Sequence, residues 1–288
     1  MGNIRRTGKP RVERNWRLAM NLSLVSRARL YGRVVWNAFE MTLRANLIDS
    51  WVLFGILVQP LMVAVLAFWM LQGRGGEYVI FVVIGSGMTG LWTSLLFISG
   101  NSITEERWTG TLELLVGAPT PISLVVFGKI LANTVQSLLS MIACYSLAIV
   151  VFGYTPEIAQ PGPFFASLGL AVLSYVCFGL IVSPVFVINP DVQRLQNGLE
   201  FPVYILCGFL FPIALLPGWT TPLSYLLTPY WAAQALHITS GGGQAGAPGL
   251  WLCWGMMALV SAVYLLASRW LFRRLLFRAR ERATLSMQ

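Results

Sequence analysis

Apolar and polar residues in this chain segregate into long blocks. Six blocks stay apolar for about a bilayer's worth of helix: roughly 52–71, 79–100, 122–152, 164–188, 197–216 and 250–272. A hydrocarbon core takes about 20 apolar residues per helix, so each block predicts a membrane span. Two of the polar stretches between and before them keep a helical period. From Arg27 to Asn46, wrapping at about 100° per residue puts Arg29, Arg33, Asn37, Glu40 and Arg44 in one narrow stripe. Leu30, Val34, Val35, Phe39 and Met41 cover the rest, and Glu40 and Arg44 stand in the favourable i,i+4 order. This predicts an amphipathic helix lying in the interface over 27–50, with Arg33, Glu40 and Arg44 on its charged side; the plainer reading is a membrane anchor with no further role. The second stretch, about 104–117, wraps with Trp108, Leu112, Leu115 and Val116 on one face and Glu106, Gly110 and Glu113 on the other. It predicts a short helix on the membrane surface, greasy side in and acidic side out, able to receive a partner.

Composition agrees with the block pattern. The chain is 56% hydrophobic and 11% charged, against roughly 25% charged in soluble domains, which makes it an integral, all-α membrane protein. The net charge of +9 suggests nucleic acid until the charges are placed. Ten of the twenty Lys and Arg precede residue 51 and six follow residue 268. A nucleic-acid groove is not split between two termini, whereas cytoplasmic ends of a membrane protein look like this. With both termini inside, 1–51, 101–121, 189–196 and 273–288 face the cytoplasm. The outer loops are then 72–78, 153–163 and 217–249. Counting Lys129 and Arg269 with the inner ends of their helices, nineteen basic residues lie inside and one, Arg74, outside.

The implied organisation is a basic tail over 1–26, the interfacial helix 27–50, a six-span domain over 51–272 and a second basic tail over 273–288. The expected site is the cell (inner or plasma) membrane, with lipids as neighbours and no nucleic acid. The first 50 residues show no signal-peptide core. Cys144, Cys177, Cys207 and Cys253 lie in apolar blocks without metal spacing and read as buried free thiols. The uncharged segment 217–249 carries Pro217, Pro222 and Pro229. It predicts an outer re-entrant or interfacial hairpin with Trp219, Tyr225, Tyr230 and Trp231 at headgroup depth.

Candidate chemistry is sparse. Gly85-Ser86-Gly87-Met88-Thr89-Gly90 has the dinucleotide-loop spacing but lies inside a span with no strand before it; small residues at Ser86 and Gly90 suit close helix packing instead. Ser240-Gly241-Gly242-Gly243-Gln244 is similar to the signature loop of cassette ATPases, yet falls on the outer side of a chain with no Walker A lysine. The single histidine, His237, is expected at the membrane interface, and no nucleophile pair or metal set accompanies it. Glu200, inside the fifth block, is a functional candidate by position, unless it snorkels or pairs with Arg194. Trp92, Phe97, Phe201, Tyr204, Phe209 and Phe211 supply aromatic surface for packing or for an amphiphile pathway. Wrapped as one helix, Phe201, Tyr204 and Phe209 cover a broad arc of about 140°.

One stretch is specific. Glu106-Arg107-Trp108-Thr109-Gly110-Thr111-Leu112-Glu113-Leu114-Leu115, then Pro119-Thr120-Pro121-Ile122-Ser123 and Gly128-Lys129-Ile130-Leu131, resembles the ABC-2 family of transporter permeases. That family carries an E-x-x-x-G-T-L-E-x-L segment between its second and third spans. The resemblance implies a permease that dimerises with itself or a paralogue and docks on a separate cytoplasmic ATPase, which holds the ATP and Mg. No cofactor is then expected on this chain, which would not itself be an enzyme. It implies a coupling helix at 104–117, with Glu105, Glu106, Arg107, Gly110, Thr111 and Glu113 facing the ATPase. It also implies that spans two and five line the pathway. The expected function is export of an amphiphilic or hydrophobic substrate out of the cytoplasm. A polysaccharide or lipid-linked glycan permease, or a non-transporting scaffold or sensor, are the alternatives.

Overall fold

The computed structural model describes residues 24–71, 77–117, 120–153, 158–188, 196–209, 216–241 and 248–285. Among them every regular element is helical. In chain order these are α1 (Leu24–Ile48), α2 (Ser50–Leu71), α3 (Glu77–Thr93), α4 (Ser102–Trp108), α5 (Leu112–Gly117), α6 (Ile122–Val150), α7 (Pro161–Ile188), α8 (Gln196–Leu206), α9 (Thr221–Leu226), α10 (Thr228–Ser240) and α11 (Leu250–Leu285). A π-helical turn, Ser94–Ser99, follows α3, and a 3-10 turn, Gly218–Thr220, precedes α9.

Five helical segments are long and apolar enough to cross a membrane: Val52–Met70, Val79–Trp108, Ile122–Val150, Pro161–Ile188 and Leu250–Leu275. The chain is a multi-pass membrane protein, and five such helices lie among the described residues, against six expected. The expected span without such a helix among the described residues is 197–216. Its helix, α8, is 11 residues long, about 16 Å at 1.5 Å per residue, half of a hydrocarbon core. It stops because Gly208 takes φ +72°. Phe209 N–H then bonds Tyr204 O at 3.1 Å and Gly208 N–H bonds Ile205 O at 3.1 Å, which is the Schellman closure of a helix end. An apolar run conceals that stop. The remaining part of the expected span, 210–215, lies outside the described residues.

α3 is the axis of the molecule. The apolar window of its span is 100% buried, against 22% for those of α2 and α11. Apolar burial drives little inside lipid, so close packing has to hold such helices together. Small residues make it possible here. A Cβ on Gly90 would lie 2.8 Å from Pro60 Cγ of α2, and one on Gly85 would overlap the Phe209 carbonyl. Around α3, Met88, Leu91 and Trp92 pack with Tyr175, Tyr204 and Trp231 in the largest apolar cluster. All four cysteines are buried and free.

α1 lies along α6, where a Cβ on Gly128 would come within 2.6 Å of Val35 O. Arg29, Arg33, Asn37 and Arg44 are exposed, and Arg44 pairs with Glu40 at 2.5 Å. The far side holds Asn46, whose Nδ2 donates to Asn133 Oδ1 at 2.7 Å, both buried. The segment expected as an outer hairpin is two short helices, α9 and α10. Trp219 and Tyr225 are exposed, but Tyr230 and Trp231 are enclosed in the core. His237 is also enclosed and stacks on Phe81 with ring centroids 4.5 Å apart. Their expected headgroup position therefore gives way to protein packing, because α10 is surrounded by α3, α7 and α11.

Candidate functional site

Two places concentrate polar chemistry. The first is the elbow that follows α3. Its beginning is anchored: Ile103 is fully buried beside Val126, Ile130, Val176, Leu180 and Phe272, and Ser102 Oγ lies 2.9 Å from Ser183 Oγ of α7. Its end is exposed, with Trp108 78% accessible.

The expected single helix over 104–117 is broken in two. Gly110 takes φ +74°, Gly110 N–H bonds Arg107 O at 3.3 Å and Thr111 N–H bonds Glu106 O at 3.0 Å. This is again a Schellman closure, so α4 and α5 do not share one helical face. Leu112 and Leu115 tuck against the Ile103 cluster, while Trp108, expected beside them, points elsewhere.

Glu106 is the hinge pin of this elbow. Its carboxylate accepts from the Thr111 hydroxyl and pairs with Lys129 Nζ of α6. Glu105 approaches the same Nζ at 3.6 Å but is mostly exposed. The Lys129 and Glu106 side chains are only 17% and 18% exposed, so neither charge has much water to fall back on. The E-x-x-x-G-T spacing thus has a local cause. Glycine reverses the chain, and threonine four residues after Arg107 lands back on the glutamate. Gly128 and Lys129 complete it, the first by admitting α1 and the second by supplying the cation.

The second place is a buried polar cluster where α2, α3 and α8 meet. Glu200 Oε1 accepts from Gln59 Nε2 at 2.8 Å, Thr93 Oγ1 at 2.8 Å and Tyr204 Oη at 2.6 Å. Thr93 Oγ1 and Tyr204 Oη are themselves 2.6 Å apart. A separate, apolar cavity of about 250 Å³ is lined by Trp92, Phe178, Phe186, Leu199 and Val203 among others, and none of the four polar side chains lines it. The Trp92 and Phe178 rings are 5.4 Å apart, and Trp92 Nε1 is buried with no hydrogen-bond partner among the described residues. The two places are connected. Gln196, at the start of α8, donates to Leu96 O in the π-helical turn that joins α3 to α4.

The sequence profile of the ABC-2 type transporter family matches residues 29–239. That is most of the chain and includes both places. The chain belongs to the ABC-2 type transporter family. A curated relative, ABC transporter G family member 20 of Dictyostelium discoideum, is 26% identical over 140 residues, 49% of this chain. The match covers 19% of that relative's length.

In this ABC-2 chain the expected site residues divide. Of the elbow set, Glu106, Gly110 and Thr111 build the bend, whereas Glu105 and Arg107 are exposed. Glu113 falls in α5, but its side chain lies outside what is described. Of the aromatic set, Trp92, Tyr204 and Phe209 are buried, Phe97 is half-buried and Phe201 is exposed; Phe211 is outside the described residues, as is Arg194. Phe201, Tyr204 and Phe209 do not form one arc, because Gly208 ends the helix before Phe209. Two partners of Glu200 were not anticipated, Gln59 and Thr93. Gln59 carried a signal, as a lone amide in the first apolar block.

Proposed function

We propose that this chain is the membrane subunit of an ATP-driven exporter, working with a second copy or a paralogue. A separate cytoplasmic ATPase would bind the ATP and Mg. In this reading α1 is the interfacial helix, α9 and α10 form the outer re-entrant hairpin, and 197–216 completes a sixth crossing. Both termini and the elbow face the cytoplasm, as the charge distribution favours. The cargo is amphiphilic or hydrophobic and leaves the cell across its membrane.

The observation that carries the proposal is the elbow itself: an exposed Arg107-Trp108 tip on a base latched by Glu106 and Lys129. A push on the tip has somewhere to go. Ser102 and Ile103 hand it to α6, α7 and α11, and the π-helical turn hands it to α3 and, through Gln196, to α8. Coupling requires that the ATPase contact the elbow differently in its two nucleotide states.

The test uses the chain co-expressed with its ATPase. Arg107→Glu and Trp108→Ala alter exposed side chains, so thermal stability stays at the wild-type value. Co-purification of the ATPase and cargo-stimulated hydrolysis are expected to fall at least tenfold, as truncation or reversal at an interface centre does. Retention of both by both variants would remove the elbow from the interface. Uptake of cargo by inverted vesicles on ATP addition tests the direction.

A further inference from the structure

A groove of about 440 Å³ runs between α1 and α6, within the range of ligand clefts, about 300–1,000 Å³. Its lining includes Tyr31, Gly32, Trp36 and Phe39 of the first helix and Leu131 and Val135 of the second, and it is almost wholly apolar. Gly32 makes the space. A Cβ on it would meet nothing within 4 Å, whereas one on Gly128 in the same helix pair would come within 2.6 Å of Val35 O. Glycine is a poor helix former. Close packing accounts for Gly128 but not for Gly32, whose missing side chain leaves room that the described residues do not fill.

The rim of this groove is amphipathic. Tyr31 and Trp36 are exposed, and such rings gather where lipid meets water. Arg29 stands three residues before Gly32, and Arg33 three before Trp36. Residues so spaced are neighbours on a helix surface. Both arginines are exposed. The one acid of α1, Glu40, pairs with Arg44, and among the described residues neither Arg29 nor Arg33 makes an ion pair. Two cations at the edge of an apolar slot complement an anionic amphiphile. The slot needs no polar lining, because only the tail enters it.

We propose that this groove holds an acyl chain of an anionic phospholipid whose headgroup lies on Arg29 and Arg33. That this happens at the cytoplasmic surface rests on the reading of α1 as the interfacial helix. Binding itself requires neither the ATPase nor transport.

The probes are phosphatidylglycerol and phosphatidylcholine with the same acyl chains, differing in net charge. Each is titrated into the purified full-length chain in detergent, and bound lipid is counted by native mass spectrometry. Wild type is expected to prefer phosphatidylglycerol by about tenfold, the scale of two arginines near an anionic surface. Arg29→Gln combined with Arg33→Gln is expected to bring the two lipids to parity with unfolding temperature retained. Gly32→Leu fills the groove and favours the helix. It is expected to weaken the tightest site about tenfold for both lipids, the effect of excluding about two buried methylenes. Equal binding of the two lipids by wild type overturns the site, as does a preference that the double arginine variant keeps. If a second copy of the chain fills the groove, Gly32→Leu changes the monomer–dimer ratio and not the lipid count. If residues 1–23 fill it, lipid binds there only after their deletion. Either result overturns the proposal. The interfacial reading is tested apart, with a nitroxide on Met41→Cys in nanodiscs. Relaxation by a water-soluble nickel chelate and not by oxygen would overturn that reading and leave the lipid site standing.

Discussion

Glu106 and Glu200 are both largely withdrawn from water, yet they are held in opposite ways. Glu106 sits against a lysine that is equally enclosed, and its remaining bond comes from a threonine on its own turn. Glu200 has three neutral donors from three helices and, among the described residues, no cation. The first arrangement is closed: charge meets charge, and the result is a rigid bend. The second is open, because the three donors converge on one oxygen and, among the described residues, none reaches the other. A buried acid reads as architecture when its cation packs against it, and the described residues supply none for Glu200.

The sharpest break in that contrast is removal of the cation. Lys129→Ala leaves Glu106 withdrawn and unpaired, with Glu105 close by. A fully buried orphaned charge costs about 3–5 kcal/mol and an exposed pair under about 1, so about 2–3 kcal/mol is expected at this exposure. Glu106→Gln added to Lys129→Ala should recover much of it, as measured by thermal unfolding in nanodiscs. Glu200→Gln orphans no charge and should lose less than about 1 kcal/mol. Equal losses for Lys129→Ala and Glu200→Gln would erase the distinction between the two acids.

The two places also share a device, and it gives the second test. Gly110 and Gly208 have nearly the same dihedral, φ +74° and +72°, and each ends its helix in the same pair of backbone bonds. An L side chain in that region costs about 1–2 kcal/mol. A Cβ at Gly110 meets nothing within 4 Å, so Gly110→Ala reports strain alone, about 1 kcal/mol in thermal unfolding. Relaxation of that strain reshapes the elbow, so coupled ATPase activity should fall while the Glu200 cluster is left intact. Gly208→Ala should do the reverse, because Tyr204 and Phe209 close that turn. Identical functional profiles for the two variants would show that the places do not act separately.

These same glycines mark what could be read in advance and what could not. The blocks at 122–152 and 164–188 match α6 and α7 within three residues, because a long apolar run in lipid has few alternatives to a helix. The predictions over 197–216 and 104–117 assumed that the period continues. Nothing in residue type forces Gly208 or Gly110 to positive φ while others stay helical; the neighbours that select it arrive from elsewhere in the chain. The Glu200 cluster was half legible. Glu200 announced itself as a charge in a span, but its bonds to Gln59 and Thr93 join positions 141 and 107 residues apart, and no periodicity carries that information. Lys129 was visible as part of a Gly-Lys pair, and its cause became clear only with Glu106 beside it.

The smallest expected effect isolates burial as the deciding variable. Arg44 and Glu40 form an ion pair as direct as that of Lys129 and Glu106, but their side chains are 76% and 42% exposed. They are i,i+4 neighbours on one helix, a geometry worth about 0.3–0.5 kcal/mol when solvated. Water takes over either charge when the other is removed, so no orphan remains. Arg44→Ala should therefore shift unfolding by roughly 1 °C or less. That shift should shrink as salt is raised, since exposed pairs are screened over about 10 Å at 0.1 M, while the Lys129→Ala effect should hardly respond. The salt series separates the two pairs even where the midpoints alone are close. A large, salt-insensitive loss on Arg44→Ala would mean that pairing, and not enclosure, sets the strength of these contacts. The reading of Glu106 as architecture would then have to rest on Thr111 and Gly110 alone.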